Sequence, residues 1–235
     1  MKLSAPIFIL KQQAKALSRA AKIPLHKALG RIANREGFAS WSLLAARSSS
    51  DDASAALLSE LRHGELLLLA ARPGQGKTLL AIGLVIESMK RGNGAAFFTL
   101  DFTRADVAKC FATVGKGMDA FGDRIRVDTS DRISADYIVD RLASAPPGML
   151  IVVDYLQLLD QDRNKPPIAD QIAELKRFAR ERHLIIVRLS QIDRNFDSGS
   201  KRFPERSDVR LPNPLDLTLF DKACFLSGGK MHQSQ

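Results

Sequence analysis

The octapeptide Ala71-Arg72-Pro73-Gly74-Gln75-Gly76-Lys77-Thr78 constrains this chain more than any other stretch. It follows an apolar run at 65–71, ELLLLAA, that reads as a buried strand, and it opens a stretch that reads as a helix. A strand that turns through two glycines directly into a helix points main-chain N–H groups at one spot. Gly74 and Gly76 permit the turn because a residue without Cβ enters left-handed backbone freely. The helix start adds the positive end of its dipole. Lys77 supplies a mobile charge suited to terminal phosphates, and the Thr78 hydroxyl suits Mg²⁺. This is a phosphate-binding loop (P-loop), with Ala71 where the general pattern asks for glycine. Arg72, Pro73, Gly74, Gln75, Gly76, Lys77 and Thr78 are therefore the candidate nucleotide-binding residues, and ATP with Mg²⁺ the candidate ligands.

The flanking sequence predicts the fold class. Short apolar runs at 65–71, 95–100, 124–128, 149–154, 184–190 and 223–227 alternate with helical stretches that follow Thr78, Arg104, Ala135 and Ile168. Continuous apolar strands between helices predict an α/β domain: a mostly parallel sheet with helices on both faces. The run at 149–154, MLIVVD, sets Asp154 at the carboxyl end of a buried strand. P-loop enzymes hold Mg²⁺ with an aspartate so placed, which makes Thr78 and Asp154 the candidate metal ligands.

Residues 1–50 are different in kind. They hold nine Lys/Arg (Lys2, Lys11, Lys15, Arg19, Lys22, Lys27, Arg31, Arg35, Arg47) against one acid, Glu36, so this piece carries +8 of the chain's +9. Leu10, Ala14, Leu17 and Ala21 repeat at helical spacing. Pro24 breaks the pattern, and a second helix is expected over 25–35, with Leu25, Leu29 and Ile32 on one face. A third short segment around Trp41 completes a small helical unit. The stretch 48–55, SSSDDASA, reads as a polar linker or a capped helix start. The expected organisation is thus a basic helical segment at 1–50, a linker at 51–56 and the nucleotide-binding domain at 57–235. The net charge points to an acidic partner for the first piece, most simply nucleic acid, unless it is only a solvated basic face.

The fragment LLLLAARPGQGKT, the strand IVVDYLQLL and the strand end RLSQIDR resemble, in that order, the nucleotide-site motifs of bacterial replicative helicases of the DnaB type, within the RecA-like class. The stretches IADQIAELKRFARERHLIIV and KRFPERSDVR are similar to segments of the same helicases, and the likeness covers roughly residues 57–227. Ala71 fits it, since these helicases have Ala-Arg-Pro there. The resemblance implies a RecA-like P-loop fold, ATP and Mg²⁺ as ligands, single-stranded or duplex DNA as partner, and assembly into a ring or with a partner ATPase. It implies that Gln191 senses the γ-phosphate and that Asp101 stands where the helicases carry a glutamate that activates the attacking water. Aspartate is one methylene shorter; Asp101 also stands where it could cap the helix that follows. Residues 194–210 fall at a DNA-contacting loop, with Arg194, Lys201, Arg202, Arg206 and Arg210 diluted by acids. The helicases continue past the strand matching 223–227 into a hairpin whose Lys-x-Arg pair reaches a neighbouring subunit's ATP. Here the sequence reads SGGKMHQSQ, expected to be irregular, and slow hydrolysis without unwinding by the chain alone is the expectation.

Other classes fare less well. No apolar run approaches the ~20 residues that span a bilayer, and no signal peptide is legible, so a cytoplasmic location without membrane partners is expected. Cys110 and Cys224 make no disulfide framework and read as reduced, half-buried thiols; the four histidines lack metal-ligand spacing. A small-molecule kinase is disfavoured by the LSQ strand end. An ATP-binding regulator that hydrolyses slowly or not at all is the alternative to a DNA-associated ATPase.

Overall fold

Alternate residues of each central strand serve two different cores. In the computed structural model, which describes residues 4–5, 7–154, 166–198, 201, 203–211, 213–228 and 230–234, the strands are β1 (Leu66–Ala71), β2 (Ala95–Thr99), β3 (Ile125–Asp128), β4 (Leu150–Asp154), β5 (Ile185–Gln191), β6 (Lys222–Ser227) and β7 (Lys230–Ser234). The helices are α1 (Ile7–Ala20), α2 (Leu25–Arg35), α3 (Trp41–Glu60), α4 (Lys77–Lys90), α5 (Arg104–Thr113), α6 (Ala135–Arg141) and α7 (Ile168–Arg182). The strands form one sheet in the order β3-β2-β4-β5-β1-β6-β7. Every pairing is parallel except β6 with β7. The chain has the RecA-like α/β architecture that the strand and helix alternation predicts.

All six residues of β1 are buried, because both faces of the sheet are covered. Leu67, Leu69 and Ala71 join one core with the end of α3, α4 and α5; Leu66, Leu68 and Ala70 join the other with α6 and α7. Each buried leucine contributes about 1.5–3 kcal/mol. The consequence for the site is positional. β2, β4, β5 and β1 all end at one edge of the sheet, so the residues that follow them converge there, the usual ligand crevice of open parallel sheets.

Three readings need correction. Residues 51–56 are not a linker but lie inside α3. Serine and aspartate are weak helix formers, yet the helix continues because Ser54, Leu57 and Leu58 bury against the core. The first turn of α3 instead completes a separate small core, in which Leu44 joins Leu10, Ala14, Ala28, Ile32 and Ala33. The C-terminal tail is not irregular: the Ser227–Lys230 pairing leaves a two-residue connection, with Gly228 at φ +56, and β6 continues into an antiparallel hairpin carrying Lys230 and His232. Cys224 is fully buried rather than half-buried, and burial pushes its thiol up to about 12, leaving it protonated and inert. Among the described residues, no helix is long and apolar enough to cross a membrane.

One buried charge has no counterpart in the strand pattern. Arg188 lies in the middle of β5, between Leu68 of β1 and Val153 of β4, and is 0% exposed. Its Nε, Nη1 and Nη2 have no hydrogen-bond partner. Burial pulls its pKa down to about 9, against a weaker opposing pull from Asp154, so it is still charged at neutral pH. A desolvated, unpaired charge opposes folding. Replacing Arg188 with methionine, similar in length and apolar, is therefore expected to raise the unfolding free energy by about 1–4 kcal/mol. The guanidinium's folded-state pKa is depressed, so below about pH 9 it is charged in both states and the penalty is complete. As pH rises through that value the folded chain gives up the proton first and the penalty fades. Urea unfolding at neutral pH and above pH 9 checks both points: the gain from Arg188→Met should shrink at the higher pH. Equal or lower stability of the variant at neutral pH would show that the charge is accommodated.

Candidate functional site

The 71–78 loop is shaped by its glycines. Gly74 has φ +78 and Gly76 has φ +86, both in left-handed backbone that a Cβ disfavours, and no atom crowds either position. The requirement is conformational, costing about 1–2 kcal/mol for another residue. Gly76 is the N-cap of α4, so the helix starts directly on the loop. No side chain caps that helix start, which leaves its first N–H groups facing the crevice.

The crevice at the sheet edge has a volume of about 350 Å³. It is lined by Arg72, Pro73, Gly74, Gly76, Lys77, Thr78, Leu79, Asp101, Phe102, Asp154 and Gln191. Nine of the ten residues singled out in the sequence therefore meet in one cleft. Gln75 is the exception: its side-chain Oε1 accepts from the backbone N–H of Gly228 at 3.0 Å, tying the loop to the β6–β7 turn.

Lys77 and Asp154 face each other. Lys77 Nζ donates to Asp154 Oδ1 at 3.2 Å, while Asp154 Oδ2 is buried with no hydrogen-bond partner. Burial pushes the Asp154 carboxyl above its ordinary value, Lys77 pulls it back, and nearby Asp101 adds a small upward push. A buried carboxylate oxygen left unsatisfied is an acceptor in want of a cation or a donor.

Asp101 and Gln191 are set by main-chain ties. The backbone N–H of Leu100 donates to Asp154 O at 3.3 Å, and the N–H groups of Asp101 and Phe102 both donate to the buried Thr99 Oγ1 at 3.2 Å. Asp101 does not cap α5. Thr103 does, in a reciprocal capping box with Asp106, and the Asp106 carboxyl is held down to about 2 chiefly by the Thr103 hydroxyl. Threonine wins because it stands immediately before the helix, two residues beyond Asp101. Gln191 closes β5 beside Ala71, and its carbonyl accepts from the N–H of Arg210 at 2.8 Å.

Sequence patterning misses one contact that shapes the cleft. Arg72 Nε donates to both carboxylate oxygens of Asp197, at 3.1 and 2.9 Å, and Nη1 donates to the Ile192 carbonyl at 3.1 Å. The guanidinium thus clamps the loop to the segment after β5. Nothing local signals a partner 125 positions away. In that segment, Lys201 is neutralised by Glu205 and Asp208, and Arg206 is spent on the carbonyls of Leu217 and Phe220. Arg194 and Arg210 are exposed. Arg202, and residues 155–159 that belong to the strand resemblance, lie outside the described residues.

Residues 123–213, which contain Asp154 and Gln191, match the family model described as the DnaB-like helicase C terminal domain. The core is that of a DnaB-type helicase motor domain. The replicative DNA helicase DnaB of Helicobacter pylori is 27% identical over 200 residues, covering 69% of this chain and 40% of that protein. Its counterpart from Buchnera aphidicola is 26% identical over 201 residues, covering 69% of this chain and 43% of that protein. The chain thus spans about two-fifths of the length of these curated relatives. Among solved structures, an isolated ATPase domain superposes with a TM-score of 0.56 at 19% identity, covering 70% of this chain and 69% of that one. A DnaB-like replicative helicase, studied with its interactions with primase, superposes with a TM-score of 0.55 at 20% identity, covering 69% and 47%. The DnaB-like core shares its fold with both.

Proposed function

We propose that the chain binds Mg-ATP in this cleft and hydrolyses it slowly, as a DnaB-like ATPase associated with DNA. The observation that carries the reading is the Lys77–Asp154 pair at the foot of the glycine loop, with Asp154 Oδ2 buried and unsatisfied. Lys77 is a cation on a flexible stem that can leave Asp154 for a terminal phosphate. The Thr78 hydroxyl and the Asp154 carboxylate are hard oxygen donors and fit Mg²⁺; the ion would neutralise phosphate charge there. The bare helix start and the turned-in N–H groups of the loop hold phosphate oxygens. Gln191, a neutral donor, reports on the terminal phosphate, and Asp101 orients and deprotonates water.

The DNA part of the reading rests on similarity to proteins named as replicative DNA helicases, with Arg194 and Arg210 as contacts on the loop after β5. The relatives' oligomeric assembly and cytoplasmic setting are carried over on the same ground. Steady-state ATP hydrolysis measured with and without single-stranded DNA tests the whole. A slow basal rate that DNA raises is expected. Failure to bind Mg-ATP would overturn the nucleotide reading, and a rate indifferent to DNA would overturn the DNA reading.

A further inference from the structure

The first helices form a unit with its own core and a surface of one charge sign. Leu10, Ala14, Ala28, Ile32, Ala33 and Leu44 are buried together. Glu36, the sole acid of residues 1–50, is also buried: its carboxylate accepts from the Ser4 N–H at 2.8 Å and the Ser4 hydroxyl at 2.6 Å. No acid remains to neutralise the outside. Along α1 and just past its end, Lys11, Lys15, Arg19 and Lys22 follow one another at spacings of four, four and three residues, a stripe about 16 Å long. On α2, Lys27 and Arg31 repeat the pattern, and all six side chains are exposed. Like charges at that spacing disfavour a helix, so the stripes oppose the fold of the very unit that carries them. The loop after β5 shows the contrast, because its cations are largely consumed by its own carboxylates and carbonyls.

We infer that residues 4–41 are a docking surface for the phosphate backbone of duplex DNA, separate from the ATP cleft. A lipid surface calls for an exposed apolar face beside the cations, and here the apolar face is spent on the unit's own core, with only Leu25 largely exposed among the described residues. Single strands are held mainly by aromatic stacking, and Phe38 and Trp41 pack against the core instead. Duplex DNA carries about one charge per 1.7 Å of axis, the densest match to two bare cationic stripes. The contacts are charge to phosphate, so binding is independent of base sequence.

Anisotropy titration of the full chain with a labelled mixed-sequence duplex, over about 50–200 mM salt, tests this. Changing Lys11, Lys15, Arg19, Lys22, Lys27 and Arg31 together to glutamine should weaken binding about tenfold or more at the lower salt. The slope of log affinity against log salt should flatten by about 0.9 for each phosphate that the variant no longer neutralises. Exchanging lysine for arginine and arginine for lysine at the same six positions should retain affinity and slope. Circular dichroism should show both variants helical, since removing like-charge repulsion does not unfold a helix. An unchanged slope in the glutamine variant overturns the inference. So does tighter binding to a single strand than to duplex, or binding to phosphatidylserine vesicles but not to DNA. None of these outcomes depends on ATP, so failure here is distinct from failure of the ATPase reading.

Discussion

Replacing Lys77 with alanine is expected to weaken Mg-ATP binding by at least ~100-fold, about 3 kcal/mol. Each hydrogen bond to a charged group contributes about 1.5–3 kcal/mol, and Lys77 would supply more than one to the terminal phosphates. The side chain is positioned for this before any ligand arrives, because it opens α4 directly behind the glycine turn and rests 3.2 Å from Asp154. Its removal acts twice. The phosphates lose a cation, and Asp154, only 3% exposed, is left buried without its principal counter-charge. The second effect raises the carboxyl's pKa further and lowers stability, so the folded fraction must be checked by thermal unfolding alongside titration calorimetry. A folded Lys77→Ala chain that binds Mg-ATP like the parent would remove the main support for the cleft as a nucleotide site.

The parts of this design legible in sequence are those whose cause is local. Gly74 and Gly76 announce a turn that only glycine enters easily, and Lys77 and Thr78 follow at the only spacing that puts them on the first turn of α4. Asp154 is legible because a run of buried apolar residues must end where the strand meets solvent. The basic helices at the start are legible from their period and from Pro24. What could not be read depends on contacts far apart in the chain. Residues 48–56 look like a break until Leu57 and Leu58 are seen packing on the core, which carries α3 through them. The polar strand β7 offers no apolar alternation, and only the glycine pair before it hints at a hairpin. Arg188 sits inside an otherwise apolar run, and nothing in the run says that its neighbours on β1 and β4 leave it without a partner. Arg72 reads as a phosphate ligand, yet in the structure its guanidinium is engaged by Asp197 and the Ile192 carbonyl. That assigns it first to bracing the loop against the segment after β5.

Asp101 is where the sequence offered two roles and the geometry favours one. As a cap it would be a structural residue, and its loss would cost stability. Thr103 and Asp106 cap α5 instead, and among the described residues no hydrogen bond or ion pair holds the Asp101 carboxylate. Its backbone, by contrast, is fixed at the rim of the cleft by Thr99 and by the tie between Leu100 and Asp154. A carboxylate with an anchored backbone and an uncommitted head, facing the cleft that holds Lys77, suits a general base for water. Asp101→Asn keeps the size and removes the basicity, so the hydrolysis rate should fall by about 10²–10⁴-fold while ATP affinity and unfolding temperature stay near the parent's. Asp101→Glu extends the arm by one methylene toward the phosphates and should raise the rate, because a base acts only within hydrogen-bond reach of its water. Single-turnover hydrolysis with saturating Mg-ATP reads both variants. Parent-like hydrolysis by Asp101→Asn would assign the base elsewhere, and a slower Asp101→Glu would mean that the aspartate's shorter reach is matched to where the water stands in this cleft.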